Sequence, residues 1–426
     1  MRYVSTRGGG APATLSQAVE RGLAPDGGLY VPERFPRIAP DALDGAETLA
    51  DVAARLLAPF FAGDALEGAL GDICREAFTF PVPLNELRGG TSVLEQFHGP
   101  TAAFKDVGAR FLAATMSRVR TDDPRPLTIL VATSGDTGGA VAAAFHGRPG
   151  VEVAVLYPAG MVSPRQEKQL TTWGGNVRAF AVRGTFDDCQ RLVKAAMADE
   201  GLRAGRRLSS ANSISIGRLL PQMAYYAWAS REHVRRHGTA PGFVVPTGNL
   251  GNAVAAMWAR RVGMPIGEIV LATNANPSIT AFTGGAPWAA HPTVSTLATA
   301  MDVGSPSNME RALHLFGGED ACRPALRAFS VADDEIRRVI RDGVADWGQV
   351  WDPHTAVAVA VRERLEGGGW ILVSTAHPAK FEGIVEPLIG RPVPVPPELQ
   401  ALLDRPSQVT EIAPTLDAFR AALERS

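Results

Sequence analysis

The stretch LTILVATSGDTGGAVAAAF, residues 127–145, decides how the fold is read. Residues 127–133 form an apolar run rich in β-branched side chains. Ser134-Gly135-Asp136-Thr137-Gly138 then breaks it, and an alanine-rich run follows. An apolar run of that length bounded by glycine and hydroxyl residues predicts a strand buried on both faces. Strand, turn and helix in succession are the repeating unit of a sheet covered by helices on both sides.

The same pattern recurs outward from that stretch. VEVAVLY (151–157), VRAFAV (177–182), GFVVPT (242–247), EIVLAT (268–273) and WILVST (370–375) read as further strands. DDCQRLVKAAMADE (187–200) and NAVAAMWARRVG (252–263) read as helices between them. The strands fall into two clusters that part near residue 235. This predicts an α/β protein of two open, parallel or mixed units with a cleft between them, and ligands at the carboxyl ends of the strands. Upstream, ATLSQAVERGL (13–23) and ETLADVAARLLAPFFAG (47–63) have helical spacing and flank a turn-rich connector. The expected organisation is a mainly helical accessory region over 1–92, a first α/β domain over 93–235 and a second over 236–426. The last of these closes with a proline-rich link and a short amphipathic helix, TLDAFRAALE (415–424), expected to dock on the surface.

Bulk composition excludes several classes. With 426 residues, 46% hydrophobic, 20% charged and a net charge of −2, the chain carries no electrostatic footprint for nucleic acid or an acidic membrane. No apolar run approaches the ~18–20 residues of a membrane span, and the first residues lack the apolar core of a signal peptide. Cys74, Cys189 and Cys322 lie far apart, suggesting neither a disulfide framework nor a zinc knuckle. A cytoplasmic setting is expected.

Three turns that follow predicted strands could hold ligands. Ser134 to Gly138 aims backbone N–H groups and two hydroxyls at one point ahead of a helix, which suits a carboxylate and equally suits a simple helix cap. Gly248-Asn249-Leu250-Gly251-Asn252, after residues 243–246, lets the backbone come close to a phosphate at a helix N-terminus. It is neither a Walker loop nor a dinucleotide fingerprint. A phosphate held there without lysine or metal points to a monoester on a tightly bound cofactor. Ser374 and Thr375 end the third strand before His377 and Lys380.

HGPTAAFKDVGARF (98–111) supplies the nucleophile candidate. Of 42 basic residues only four are lysines, at 105, 168, 194 and 380, so arginine serves wherever charge alone is needed. Arginine stays protonated, whereas a lysine with a lowered pKa is an amine nucleophile. Lys105 opens a predicted helix, where the dipole disfavours a cation, with Phe104 and alanines as apolar neighbours. Lys380 reads as structural or a surface charge, Lys168 stays open, and Lys194 faces solvent on an amphipathic helix. His233 and His237 have the spacing of a zinc pair, but the arginines around them favour a surface helix. His98 and His377 flank the candidate loops.

Together these segments resemble the threonine synthase family. FHGPTAAFKD (97–106), ATSGDTG (132–138), PTGNLGN (246–252) and STAHPAKF (374–381) are similar to its signature segments, in the same order. GLAPDGGLYVP (22–32), SPSNMER (305–311) and DPHTAVA (352–358) extend the likeness over nearly the whole chain, in the manner of the longer fungal and enterobacterial type. The resemblance implies a fold type II pyridoxal 5'-phosphate enzyme. Its reaction would convert O-phospho-L-homoserine and water to L-threonine and phosphate by γ-elimination and β-hydration. Lys105 would carry the cofactor as a Schiff base and act as the base. Gly248, Asn249, Leu250, Gly251 and Asn252 would hold the cofactor phosphate, Thr375 would meet the ring nitrogen, and Asp136 would lie near the 3′-oxygen. Ser134 and Thr137 would take the substrate carboxylate, and Ser163, Arg165, Asn212, Ser213 and Arg218 the substrate phosphate. No metal is implied, and the expected assembly is a monomer or homodimer. Two alternatives stay open: a phospho-lyase giving 2-oxobutyrate and ammonia from the same substrate, and a non-catalytic phosphometabolite-binding protein.

Overall fold

The structure is a computed structural model that describes residues 1–119 and 123–424. An antiparallel pair, β1 (Tyr3–Ser5) and β2 (Tyr30–Pro32), and helices α1 (Leu15–Arg21), α2 (Leu49–Phe61) and α3 (Leu70–Ala77) form the N-terminal region. Thr14 and Thr48 open α1 and α2 with reciprocal capping boxes, so each start is set by local sequence. Tyr3 donates its hydroxyl to the Phe60 carbonyl at 2.8 Å. The buried residues of α1, α2 and α3 share one apolar cluster with those of α4 (Lys105–Met116) and α5 (Asp136–Phe145).

Two sheets carry the site. The first joins β5 (Leu127–Ala132), β6 (Val151–Pro158), β7 (Val177–Val182), β8 (Arg207–Ser210) and β13 (Val409–Ile412), all parallel, in the order β13-β7-β6-β5-β8. The second joins β3 (Leu84–Glu86), β4 (Thr91–Glu95), β9 (Gly242–Pro246), β10 (Ile269–Thr273), β11 (Arg327–Ser330) and β12 (Trp370–Ser374) in the order β11-β10-β9-β12-β4-β3. Only the β3–β4 pairing in that sheet is antiparallel. Every strand expected from the sequence is present, and β5, β10 and β12 are buried along their whole length, as apolar strands under two helical layers must be.

Both sheets reverse their winding direction, and those reversals position the site. In the first, the chain runs from β5 to β6 and β7 on one side and returns to β8 on the other. In the second, it runs from β9 to β10 and β11 and returns to β12 on the opposite side of β9. Diverging connections leave a crevice at the carboxyl ends of the strands flanking each reversal. The loops after β5, β8, β9 and β12 open there, and they are the Ser134, Asn212, Gly248 and Thr375 segments.

Two expectations need correction. The sheets do not follow the linear limits 1–92, 93–235 and 236–426. β3 and β4 pair into the second sheet, and β13 joins the first because its backbone continues the free edge of β7. The terminal helix Leu416–Glu424 docks as expected: Phe419 is fully buried, edge-on to Phe180 with ring centroids 5.3 Å apart. His233, on helix Met223–His237, is buried and lies 4.4 Å from the His237 ring between centroids. Among the described residues no cluster of three potential ligands could hold a metal ion, and no helix is long and apolar enough to cross a membrane.

Candidate active site

The lysine loop is built from its own short-range bonds. Asp106 accepts from the Thr101 amide at 2.9 Å and the Thr101 hydroxyl at 2.5 Å, closing the turn ahead of α4. Ala102 takes up a left-handed conformation, φ 53°, inside that turn. The loop is then tied to the end of β12. Phe104 N–H donates to the Thr375 carbonyl at 2.8 Å, and His377 N–H donates to the Ala102 carbonyl at 3.0 Å. Lys105 therefore begins α4 at a fixed distance from β12, with its side chain 14% exposed.

Asp136, the first residue of α5, sits against it. Its Oδ2 lies 3.8 Å from Lys105 Nζ. Its Oδ1 accepts from Lys380 Nζ at 2.7 Å and from Gln166 Nε2 at 3.1 Å. Lys380 is fully buried and also donates to the Thr101 carbonyl at 2.8 Å. Two of the chain's four lysines thus converge on one carboxylate. Burial pushes the Lys105 amine down to about 8 despite the pull of Asp136, with repulsion from Lys380 and Arg218 adding to it. Burial alone would raise the Asp136 carboxyl; Lys380, then Lys105 and His354, hold it well below the usual carboxylate range.

Around this pair the loop after β5 keeps its hydroxyls free. Thr133 accepts from the Gly135 and Gly138 amides at 3.0 and 2.9 Å, fixing the turn. Gly135 has φ 135°, and a Cβ there would lie 2.6 Å from Gln166 Nε2. Ser134 and Thr137 are half-buried, and among the described residues their hydroxyls meet no partner. The Thr375 hydroxyl is likewise unpartnered and buried just past β12.

The loop from Gly248 to Asn252 joins β9 to helix Gly251–Arg261. Leu250 is left-handed at φ 60°, which turns successive amides toward one side. None of the amides from Gly248 to Asn252 donates to another group among the described residues. A Cβ on Gly248 would lie 2.6 Å from the Met301 Cα, so only glycine fits. The Asn249 side chain donates to Ser213 Oγ at 2.6 Å and accepts from the Ser307 amide at 2.5 Å. Asn252 accepts from Tyr226 at 2.7 Å, and Gln96, next to the end of β12, receives its amide at 3.4 Å. Unpaired amides at a helix N-terminus, a buried amine and an unpartnered hydroxyl at a strand end fit pyridoxal phosphate: a phosphate, an aldehyde and a ring nitrogen.

The remaining expected residues divide. Ser213 meets the phosphate loop. Arg218 is buried beside α4, donating to the Ala211 carbonyl at 2.5 Å while its Nε has no partner, and Asn212 Oδ1 is also buried and unpaired. Ser163 caps α6 (Pro164–Thr171) and donates to the Lys380 carbonyl at 3.1 Å. Arg165 donates to the Ala379 carbonyl at 2.5 Å and faces Glu382 and Glu386 at 3.8 and 3.7 Å. His98 pairs with Glu95 at 2.7 Å, and burial pushes His377 down to about 4. Gln166 and Gln96 were not legible as site residues; Lys380 stood inside the STAHPAKF segment but reads from the sequence as structural or a surface charge.

Residues 83–375 match the family described as pyridoxal-phosphate dependent enzyme. That match and the fold together place the chain among the pyridoxal-phosphate enzymes of fold type II. Residues 2–78 match the threonine synthase N terminus and residues 355–423 the threonine synthase C-terminal family. The chain belongs to the threonine synthase family. It is 39% identical over 397 residues to the threonine synthase of Escherichia coli, covering 92% of each chain. The crystal structure of threonine synthase from Escherichia coli superposes with a TM-score of 0.92 at 36% identity over 99% of both chains. The structure of PLP-bound threonine synthase from Brucella melitensis gives 0.91 at 34% identity over the full length of both.

Proposed function

We propose that the chain is a pyridoxal-phosphate-dependent threonine synthase, a lyase that converts O-phospho-L-homoserine and water to L-threonine and phosphate. The observation that carries this is the buried Lys105 amine at the crevice, in a chain that matches threonine synthases from end to end. Bound pyridoxal phosphate supplies an electron-withdrawing ring that takes up charge as protons leave the substrate carbons.

The protein's own residues do the rest. Lys105 Nζ would carry the cofactor between turnovers and, when free, would take the α-proton; an amine with a pKa of about 8 is suited to accept and return a proton at neutral pH. The amides of Gly248, Asn249, Leu250, Gly251 and Asn252 would hold the cofactor phosphate, and the Thr375 hydroxyl would serve the ring nitrogen. A neutral hydroxyl there cannot hold a proton on that nitrogen as a carboxylate would. Asp136, beside Lys105, would lie near the cofactor's 3′-oxygen. Ser134 and Thr137 offer hydroxyls and helix-end amides to the substrate carboxylate. For the substrate phosphate, Arg218, Asn212 and Ser213 are the better-supported set, since Arg218 and Asn212 have buried polar atoms unused. Ser163 and Arg165 already have protein partners engaged, and they serve the phosphate only by exchanging those bonds. We set the reaction in the cytoplasm, on a monomer or homodimer, with the three unpaired, buried cysteines as support.

The test is product analysis. Protein loaded with pyridoxal phosphate and given O-phospho-L-homoserine should release threonine and inorganic phosphate in equal amounts. Phosphate accompanied by 2-oxobutyrate and ammonia, or no phosphate at all, would overturn the assignment.

A further inference from the structure

Three cations crowd the amine end of the crevice: Lys105 on α4, Lys380 on the turn Pro378–Phe381, and Arg218 on helix Ile216–Leu219. Two carboxylates face them, Asp136 and Asp106. Asp106 is held by both Thr101 donors, and burial raises its carboxyl. Asp136 gives its Oδ1 to Lys380 and Gln166, while His354 acts on it from helix Pro353–Arg362. Positive charge is therefore in surplus in a buried space, and it falls most readily on the cation with the fewest acceptors. Arg218 cannot shed a proton in practice. Lys380 spends two of its three donors on Asp136 and the Thr101 carbonyl. Lys105 Nζ has no hydrogen-bond acceptor among the described residues and stands 3.8 Å from Asp136, beyond hydrogen-bond reach.

We infer that Lys380 is a positioning residue for Lys105: bonded to Oδ1, it holds the Asp136 carboxylate with its other oxygen 3.8 Å from Lys105 Nζ, outside hydrogen-bond reach, and so leaves that amine free to be neutral. It also keeps Asp136 a carboxylate rather than an acid, which a neutral amide at position 136 would not need. The role rests on reading Lys105 as the cofactor-bearing amine, but it concerns the chain before any cofactor binds.

Competitive acylation of the full, cofactor-free chain with trace acetic anhydride, followed by peptide mass spectrometry across pH, reads the neutral fraction of Lys105. In the parent the labelling midpoint is near 8. In Lys380→Gln, which keeps an amide donor for Asp136 and Thr101, Asp136 turns to Lys105. The midpoint should then rise by about one unit, a roughly tenfold loss of labelling at neutral pH. Asp136→Asn should move it the other way. A protein that is merely weakened would shift its thermal midpoint and leave the labelling profile in place. An unchanged profile in Lys380→Gln would overturn the inference. Should that variant fail to fold, the pair Asp136→Asn and Asp136→Asn/Lys380→Gln decides. The double variant removes both charges together, which buried pairs tolerate far better than loss of one. With no carboxylate left for Lys380 to hold, its midpoint should rise above that of Asp136→Asn by well under one unit; a rise of a full unit would refute the role, since Lys380 would then act by its charge alone. Because neither cofactor nor substrate is present, failure here leaves the reaction assignment standing, and failure of product analysis leaves this result standing.

Discussion

At the residue scale the protein buries an amine where a helix start, two cations and an apolar wall all disfavour its charge. That is costly to the fold and useful to the chemistry. Lys105→Ala should abolish turnover, by at least about 10³-fold for loss of a proton-transfer group that also tethers the cofactor, and should remove visible absorbance of the bound cofactor. Steady-state rates and a spectrum check both. A stability consequence follows from the direction of the shift. The folded-state pKa, about 8, lies below the unfolded value of 10.5, so the folded chain binds fewer protons between those limits. Without cofactor, Lys105→Met should be more stable than the parent at pH 7. Its advantage should shrink as pH rises from about 8 to 10.5, because the unfolded parent then loses its proton too. Urea titrations of both proteins across that range test the sign.

At the scale of elements, the loops after β5, β9 and β12 were legible because glycines and hydroxyls directly follow apolar runs. A strand of that kind must end at a crevice when its sheet reverses direction. The strands β3, β4, β8, β11 and β13 were not legible: each carries polar residues that break an apolar run, and β11 and β13 are largely exposed edges. Ser163, expected at the substrate phosphate, caps a helix in the structure. Lys380 and Gln166 owe their roles to side chains from distant segments meeting at Asp136, and no local pattern marks such a meeting. Gly248 gives the sharpest test at this scale. Gly248→Ala would drive a Cβ into the Met301 backbone, so the loop must move. Pyridoxal-phosphate affinity should fall at least about tenfold, the loss of roughly one hydrogen bond to a charged group, with the far-ultraviolet spectrum unchanged. Equilibrium titration of the cofactor measures it.

At the scale of the whole molecule, distant parts of the chain close the site together. Arg311, in the SPSNMER segment, is fully buried without a carboxylate. It donates to the Tyr30 carbonyl twice at 3.1 Å, to the Ile214 carbonyl at 2.6 Å and to Asn308 at 2.7 Å. Asn308 in turn donates to the Asn249 carbonyl at 3.0 Å. One side chain thus joins the N-terminal region, the segment after β8 and the phosphate loop. Arg311→Met would leave buried carbonyls unpaired and should cost at least about 2 kcal/mol, while also weakening cofactor binding. Denaturant unfolding and cofactor titration separate the two effects. The chain's return to the first sheet is tested by Phe419→Ala, which should cost about 3–5 kcal/mol through the cavity left against Phe180, read in the same unfolding assay.

The most direct test of the account is borohydride reduction of the pyridoxal-phosphate-loaded protein followed by peptide mapping. The cofactor should be fixed quantitatively on the peptide containing Lys105 and on no other. Its recovery on Lys380, 2.7 Å from the same Asp136, or on no lysine at all, would contradict the account.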